Sequence, residues 1–165
     1  MARAIPDDVD SVEAYDPLNC THTALRQASR QLTLVYDEAL APSGLTSAQA
    51  LVVSRIAELD GAPGGRGPSL QALAKRLSLQ ISALTHALKP LVRDGLVQLQ
   101  PDADDGRTKR AVLTEQGLRQ MQQMTALWVA VNARLDGVLG DGVAHELRQM
   151  ASKVASPDFA EAMKK

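Results

Sequence analysis

Apolar residues recur at three- and four-residue spacing along most of this chain, and that spacing predicts a mainly helical protein. Proline, glycine and capping residues mark where each helix begins and ends. Residues 61–68 contain too much glycine and proline for regular structure and predict a flexible connector. The predicted helices cover residues 17–41, 46–59, 70–77, 80–94, 115–139 and 142–155.

The helix predicted over residues 80–94 has two unlike faces. Its apolar face comprises Leu84, Ala87, Leu88 and Leu91. The opposite arc holds only polar or basic side chains, namely Ser82, Thr85, His86, Lys89 and Arg93. A strip of donors without a carboxylate suits a surface of phosphates and base edges. A polar outer face is also common to amphipathic helices in general, so this helix alone leaves both interpretations open.

Two strand-like runs follow this helix, at residues 96–100 and 109–113. The segment between them contains Asp105-Gly106-Arg107, and Asp-Gly is a strong turn signal. An isolated hairpin is marginally stable unless it packs on helices. Two short helices, a basic-tipped hairpin and a third helix therefore predict a winged helix-turn-helix, which is a DNA-binding unit.

The stretch from Leu70 to Gly117 resembles the winged helix-turn-helix of the MarR family of bacterial transcription regulators. The most specific element is the Asp-x-Arg of Asp105-Gly106-Arg107, which Leu113-Thr114-Glu115-Gln116-Gly117 follows. The resemblance extends over about residues 18–155. The other matching residues are Leu73-Ala74-Lys75-Arg76-Leu77, Leu84-Thr85, Asp94-Gly95-Leu96-Val97 and, more weakly, Leu45-Thr46-Ser47-Ala48-Gln49.

The resemblance implies a mainly α fold in which a winged helix-turn-helix with a two-stranded wing is joined to long N- and C-terminal helices that form a dimerisation domain. Heptad-like seams in those helices favour a homodimer, although the seams could also pack within one chain. Two-fold symmetry would place two winged units in successive major grooves, about 34 Å apart, on a pseudo-palindromic operator in double-stranded DNA. The predicted regions are an acidic flexible tail (1–16), the dimerisation region (17–45 and 115–155), the DNA-binding region (46–114) and a C-terminal tail (156–165).

The resemblance assigns the helix over residues 80–94 to the major groove. Lys89 is predicted to contact phosphate. Members of the family commonly have Arg where this chain has His86, so the target sequence cannot be carried over. Pro90 lies inside this helix and predicts a kink near its last turns. The residues predicted to face base edges are Ser82, Thr85 and His86.

At the wing, Arg107 is predicted to enter the neighbouring minor groove, where narrow A·T tracts attract guanidinium groups. Asp105 can only accept hydrogen bonds, and it is predicted to orient Arg107 or to cap the turn. Lys109 and Arg110 point to opposite faces of one strand, so only one of them can face phosphate. Lys109 is the predicted contact.

The formal net charge is −1 over 165 residues, so the distribution of charge matters more than its sum. Residues 69–113 carry a net charge of +3, whereas residues 1–16 are acidic. No apolar run approaches the roughly 18 residues of a membrane span, and the first residues lack the basic-then-apolar order that is typical of a signal peptide. These features predict a cytoplasmic protein that contacts DNA locally and does not contact a membrane. No cofactor or metal site is expected.

The family usually releases DNA when a small anion, often an aromatic acid, binds between the dimerisation helices and the winged unit. A donor beside an aromatic surface suits a phenolic carboxylate, and His22, Arg26, Tyr36 and Trp128 are the candidates. His22 and Tyr36 have an alternative interpretation as seam residues whose hydrogen bonds are satisfied within the fold.

Oxidation of a cysteine is the family's other release mechanism, and Cys20 is the single cysteine of the chain. It lies near the start of the first predicted helix, where the helix dipole lowers a thiol pKa. Counted back from Tyr36, however, the sensor cysteine of the peroxide-sensing branch matches His22, and its partner tyrosine matches Arg26. A buried, inert Cys20 is therefore the alternative to a redox switch.

Other classes of function find less support. Three scattered histidines, without a metal-binding spacing, a nucleophile motif or a phosphate-binding loop, form no catalytic arrangement. RNA binding by base stacking is disfavoured because aromatic residues make up only 2% of the chain. A winged helix that binds only a protein partner remains an alternative, and it would show no salt-dependent affinity for duplex DNA.

Overall fold

The computed structural model describes residues 20–61 and 65–164, so the predicted acidic tail lies outside the described residues. A short 3-10 turn at Ala41–Ser43 follows the first helix. Among the described residues, no helix has both the length and the apolar character needed to cross a membrane. The elements in the described ranges are α1 (Thr21–Leu40), α2 (Ser47–Asp60), α3 (Leu70–Arg76), α4 (Ile81–Arg93), β1 (Val97–Pro101), β2 (Lys109–Leu113), α5 (Glu115–Leu139), α6 (Val143–Val154) and α7 (Pro157–Ala162).

Capping residues begin the helices where the sequence predicts them. Thr46 accepts from the Gln49 amide at 3.2 Å while the Gln49 side chain accepts from the Thr46 amide at 2.9 Å, which completes the predicted capping box. Ser69 caps α3 through the Ala72 amide, and Thr114 caps α5 through the Gly117 amide. The predicted bounds of α5, Glu115 to Leu139, are confirmed.

The two ends of the helical region need separate description. α1 begins at Thr21, because Cys20 has an extended backbone and occupies the N-cap, and the predicted start at residue 17 lies outside the described residues. Residues 156–165 were predicted as a tail, but they contain α7. The Ser156 hydroxyl accepts from the Phe159 amide and caps the first turn of this helix. The Ser-Pro pair at 156–157 is the sequence signal for this helix start, because serine caps helices and proline is favoured at their first position.

The winged head (residues 46–114) packs its helices around one apolar cluster. α4 continues past Pro90 to Arg93, so the proline does not end the helix. After α4, Gly95 takes a φ of 72°, and the Leu96 amide bonds the Leu91 carbonyl, which is the Schellman arrangement that ends a helix and starts the hairpin. The largest fully buried side chains are Leu40, Ile56, Leu73, Leu84, Leu88, Leu91, Val53 and Val97.

The hairpin is anchored on both sides. β1 and β2 pair antiparallel from Val97 with Leu113 to Pro101 with Lys109. At its base, a Cβ on Gly117 would lie 2.1 Å from the Leu96 carbonyl oxygen, so only glycine fits this position. The glycine of the Leu-Thr-x-x-Gly motif is thus explained by close packing of α5 on the wing.

The prediction that residues 61–68 form a flexible connector is wrong for the second half of this segment. Gly67 and Pro68 are buried, and the Pro68 carbonyl accepts from the Ala111 amide of β2 at 3.0 Å. Gly67 has a φ of 65°, and a Cβ there would lie 2.1 Å from the Ala111 carbonyl oxygen. Gly67 and Pro68 therefore allow the connector to pack closely against the wing, through contacts with a residue more than 40 positions later in the sequence.

Candidate nucleic-acid interface

The polar strip of α4 faces solvent as predicted. Leu84, Leu88 and Leu91 are buried under the helix. The five strip residues, Ser82, Thr85, His86, Lys89 and Arg93, are all exposed. The division of α4 into a core face and an open donor face is confirmed, and the open face is available to a partner.

Two members of the strip have internal partners. Thr85 donates its hydroxyl proton to the Ile81 carbonyl at 2.8 Å, which leaves its oxygen as an acceptor and its methyl group as an apolar contact. Arg93 binds the Asp94 carboxylate through Nε at 2.7 Å and Nη2 at 3.1 Å. This contact lowers the pKa of Asp94 and raises that of Arg93. Ser82, His86 and Lys89 are the strip residues whose donors are open.

A buried carboxylate organises the wing. Asp102 accepts from the amides of Asp104 and Asp105 at 2.9 and 3.0 Å and forms an ion pair with Arg110. Arg110 also donates to the Gly67 carbonyl at 2.7 Å. The Arg110 guanidinium, with the two amides, lowers the pKa of Asp102 to about 2. Arg110 therefore faces inward as a structural residue.

The tip of the wing points the other cations outward. Asp105 accepts from the Arg107 amide at 3.1 Å and from the Thr108 hydroxyl at 3.0 Å, so it caps the turn as one of its two predicted roles requires. The Arg107 and Lys109 side chains are exposed. Because Lys109 and Arg110 are neighbours on β2, the inward position of Arg110 places Lys109 on the opposite face.

The wing and the helix-turn-helix meet in one concavity of about 250 Å³. Arg107 and Lys109 border it on the wing side, and Ile81 borders it at the start of α4. The remaining lining residues are Leu70, Gln71 and Thr108. The fold thus brings together the basic wing and the N-terminal end of the polar strip, which are far apart in sequence.

The cationic side chains in the described part of the head fall into two groups, those that pair with a carboxylate and those that do not. Within the described part of the head, four cationic side chains have no carboxylate within 4 Å: Lys75, Lys89, Arg107 and Lys109. Arg66, Arg76, Arg93 and Arg110 are each paired with an acid. Lys75 was not among the residues predicted to contact DNA. Its place in the last turn of α3, beside the helix-turn-helix bend, is the signal that could have identified it.

The four predicted ligand residues do not form one site. Tyr36 and Trp128 line a cavity of about 480 Å³ between α1, α2 and α5. Tyr36 donates to Asn132 Oδ1 at 2.9 Å, and burial raises the pKa of its phenol. Arg55 also lines this cavity, although it was not a predicted ligand residue.

His22 and Arg26 lie in a different cavity, of about 600 Å³, beside Val154 and Phe159. Arg26 and Tyr36 are ten positions apart on one helix, which is a rise of about 15 Å. Within one chain the four candidates are therefore divided between two cavities, and their role in ligand binding stays a prediction. The Tyr36–Trp128 cavity contains the aromatic residues, and Arg55 supplies its cation.

Cys20 is half-buried at the N-cap of α1 and is not the fully buried thiol that one interpretation expected. Hydrogen bonds from the Thr23 amide and hydroxyl lower the pKa of the Cys20 thiol, with a smaller contribution from the His22 amide. These hydrogen bonds make the Cys20 thiol more acidic than an ordinary cysteine.

Two short helices, a basic wing packed against them and a strip of open donors on the second helix define a winged helix-turn-helix protein. Comparison with known proteins gives the particular group, because the sequence pattern described as the MarR family matches residues 45–109. The chain belongs to the MarR family of transcription regulators. Among curated proteins, nothing matches the chain.

Solved structures of this family resemble the chain over most of its length. The transcriptional regulator MosR of M. tuberculosis, in complex with DNA, is 32% identical, with 89% of this chain and 100% of that chain covered and a TM-score of 0.74. CouR from Rhodococcus jostii RHA1, bound to p-coumaroyl-CoA, is 23% identical over 85% of this chain and 94% of that chain, with a TM-score of 0.69. BpsR of Bordetella bronchiseptica, whose DNA binding is regulated by 6-hydroxynicotinic acid, is 19% identical over 86% and 97%, with a TM-score of 0.74.

Proposed function

We propose that this transcription regulator acts as a dimeric, sequence-specific repressor that a small aromatic acid releases from DNA. The observation that carries the proposal is the open donor strip of α4 beside the unpaired cations of the wing. The DNA complex of the 32% identical MosR supports duplex DNA as the partner. A dimer bound across a promoter would block transcription by occupying the site.

In the proposed complex, α4 enters the major groove. Ser82, Thr85 and His86 face the base edges, where the Thr85 hydroxyl oxygen accepts and its methyl group contacts thymine. Lys89 and Lys75 contact phosphates on either side of the groove.

The wing supplies the second set of contacts. Arg107 enters the adjacent minor groove, and Lys109 neutralises a phosphate. Asp105 holds the turn that presents Arg107, so its effect on DNA is indirect. Arg110 pairs with Asp102 and donates to the Gly67 carbonyl, so the two residues fix the hairpin to the connector.

The homodimer is proposed to form through the long helices. Val138 at the end of α5 is 76% exposed, and Met150 and Met163 are 64% and 73% exposed. Leu147 and Val154 continue the exposed apolar stripe along α6. A second copy that covers this stripe would place two heads on the two halves of a pseudo-palindromic operator.

The Tyr36–Trp128 cavity is the proposed effector site. It lies between the long helices and α2, so a bound molecule would contact both the dimerisation region and the head. The ligands of CouR and BpsR contain aromatic acyl or acid groups, which supports an aromatic acid here. His22 and Arg26 are not part of this proposal.

A redox response through Cys20 is the second candidate, and the lowered thiol pKa favours it. Mild peroxide treatment followed by mass spectrometry tests it. A sulfenic acid or an intersubunit disulfide at Cys20, with weaker DNA binding, would support the redox mechanism. An unmodified thiol would leave the aromatic acid as the effector class.

The proposed function is tested by fluorescence anisotropy on the DNA upstream of the protein's own gene. The labelled duplex and a scrambled duplex are titrated at two salt concentrations. Specific binding that weakens with salt is the expected result. Equal, weak binding to every member of a random-sequence library would instead indicate a winged helix that serves a protein partner.

A further inference from the structure

Ile81 is an apolar residue of α4 that lies outside the core. It is the first residue of this helix and is 45% exposed, whereas Leu84 and Leu88 are at most 1% exposed. Single exposed apolar residues are common on protein surfaces, so exposure alone assigns no role to Ile81. Its position beside the proposed DNA contacts is the further observation that does.

Ile81 extends the open face of α4 to the start of the helix. Residues four positions apart are neighbours on a helix, so Ile81, Thr85 and Lys89 form one row. Thr85 and Lys89 are exposed and belong to the polar strip. The Thr85 hydroxyl donates to the Ile81 carbonyl at 2.8 Å, which leaves the Thr85 methyl group and the Ile81 side chain as the apolar surface at this end of the row.

The same side chain lies beside the basic wing. Ile81 lines the concavity of about 250 Å³ that Arg107 and Lys109 border on the wing side. The N-terminal residues of the second helix of a helix-turn-helix contact base edges in the major groove. In the proposed complex, Ile81 therefore lies at the base-contacting end of α4, on the side that faces the wing.

An apolar side chain can recognise one chemical feature of the major groove. Thymine carries a C5 methyl group there, which the other bases lack. The Ile81 side chain has neither a donor nor an acceptor, so it cannot recognise the hydrogen-bonding groups of a base pair. Contact with a thymine methyl group is the sequence information that remains to it.

We propose that Ile81 is a specificity-determining residue that contacts the C5 methyl group of one thymine in each half of the operator. The inference rests on the proposed function, because it needs a duplex bound by α4. It adds a base contact that the donor groups of the polar strip do not supply. The thymine lies on the wing side of the bases that Thr85 and His86 contact.

Deoxyuridine isolates this contact, because it lacks the thymine methyl group and keeps the base pairing. Each thymine of the upstream duplex is replaced singly, and the affinity of the full chain is measured by anisotropy. Loss of the methyl group that Ile81 contacts should weaken binding by the natural chain about fourfold. Ile81→Ala should lose no further affinity at that thymine, whereas Ile81→Val, which keeps a branched apolar side chain, should remain sensitive to it.

Thr85→Ser separates the neighbouring contact, since serine keeps the hydroxyl and lacks the methyl group. A thymine that Thr85 contacts should stay sensitive to deoxyuridine in Ile81→Ala and become insensitive in Thr85→Ser. Val92→Ala is the matched control, because Val92 is 38% exposed on the same helix and does not line the concavity. It should leave every deoxyuridine effect unchanged.

The salt dependence distinguishes a base contact from a phosphate contact. Ile81 carries no charge, so Ile81→Ala should weaken operator binding without a change in the dependence of affinity on salt. Affinity for the scrambled duplex should stay the same. Circular dichroism of each variant verifies the fold.

Two results would overturn the inference. One is a scan in which no thymine loses its deoxyuridine effect in folded Ile81→Ala. The other is an equal loss of affinity for operator and scrambled DNA in this variant. Both leave the proposed function in place if the natural chain prefers the operator. Equal affinity of the natural chain for operator and scrambled DNA would instead contradict the proposed function, and the inference would fail with it.

Discussion

The winged head and the long helices differ in how completely one chain buries their apolar surface. In the head, Leu73, Leu84, Leu88 and Leu91 are at most 1% exposed. In the helices, Val138, Met150 and Met163 are more than 60% exposed. The head therefore buries its central leucines within one chain, whereas the helices present a surface that burial against a second copy would stabilise.

Removing a core side chain from the head gives the largest expected effect on stability. Leu88→Ala should lower the free energy of unfolding by about 2–5 kcal/mol, because it leaves a cavity at a fully buried position. Leu34→Ala is the control, since Leu34 on α1 is 60% exposed. Urea unfolding followed by circular dichroism measures both, and equal effects would contradict the division between head and helices.

A charge placed in the exposed apolar stripe of α6 tests whether this stripe is buried against a second copy of the chain. Met150→Asp should dissociate the dimer, because an ionised carboxylate is costly to bury in an apolar interface. Light scattering after size exclusion measures the mass, and specific DNA affinity should fall with it. Ser152→Asp, on the opposite side of α6, should leave both unchanged. A dimer that tolerates Met150→Asp would place the interface elsewhere.

Acid should weaken the head through Asp102. Its pKa is about 2 in the fold against an ordinary value of 3.8. A depressed pKa contributes stability that is fully present above about pH 4 and is lost as the pH falls towards 2. Asp102→Asn should therefore lower the unfolding temperature at pH 7, and the difference from the natural chain should shrink between pH 4 and pH 2. A difference that is constant with pH would contradict the ion pair.

A small gain in stability is expected from a substitution at the bend between α3 and α4. Ser78 has a φ of 54°, in the left-handed region that favours glycine, and its amide bonds the Lys75 carbonyl at 3.2 Å. Ser78→Gly should stabilise the head by about 0.5 kcal/mol. Ser152→Gly, inside α6, should destabilise by a similar amount. Unfolding temperatures that fall for both variants would show that Ser78 carries no strain.

Local signals in the sequence predicted much of the head. The capping box of Thr46 and Gln49, the full length of α5 and the two faces of α4 depend on residues within one or two helical turns of each other. The Asp-Gly turn and the Leu-Thr-x-x-Gly motif also lie within short stretches. Such features can be predicted because their contacts are close in sequence.

The errors concern contacts that are distant in sequence. Gly67 appeared to belong to a flexible loop because its partner, Arg110, follows 43 positions later. Which ligand candidates share a cavity could not be predicted either, because Arg26 and Tyr36 line different cavities together with residues of other helices. Arg55 was missed since its role depends on the cavity that α1 and α5 form above it.

Arg107→Ala is the measurement that tests most directly whether the head binds DNA through its open cations. Operator affinity is measured by anisotropy and the mass of the free protein by light scattering. We expect weaker operator binding, a shallower dependence of affinity on salt, and an unchanged dimer. An intact dimer whose operator affinity and salt dependence equal those of the natural chain would contradict the assignment of the wing to DNA.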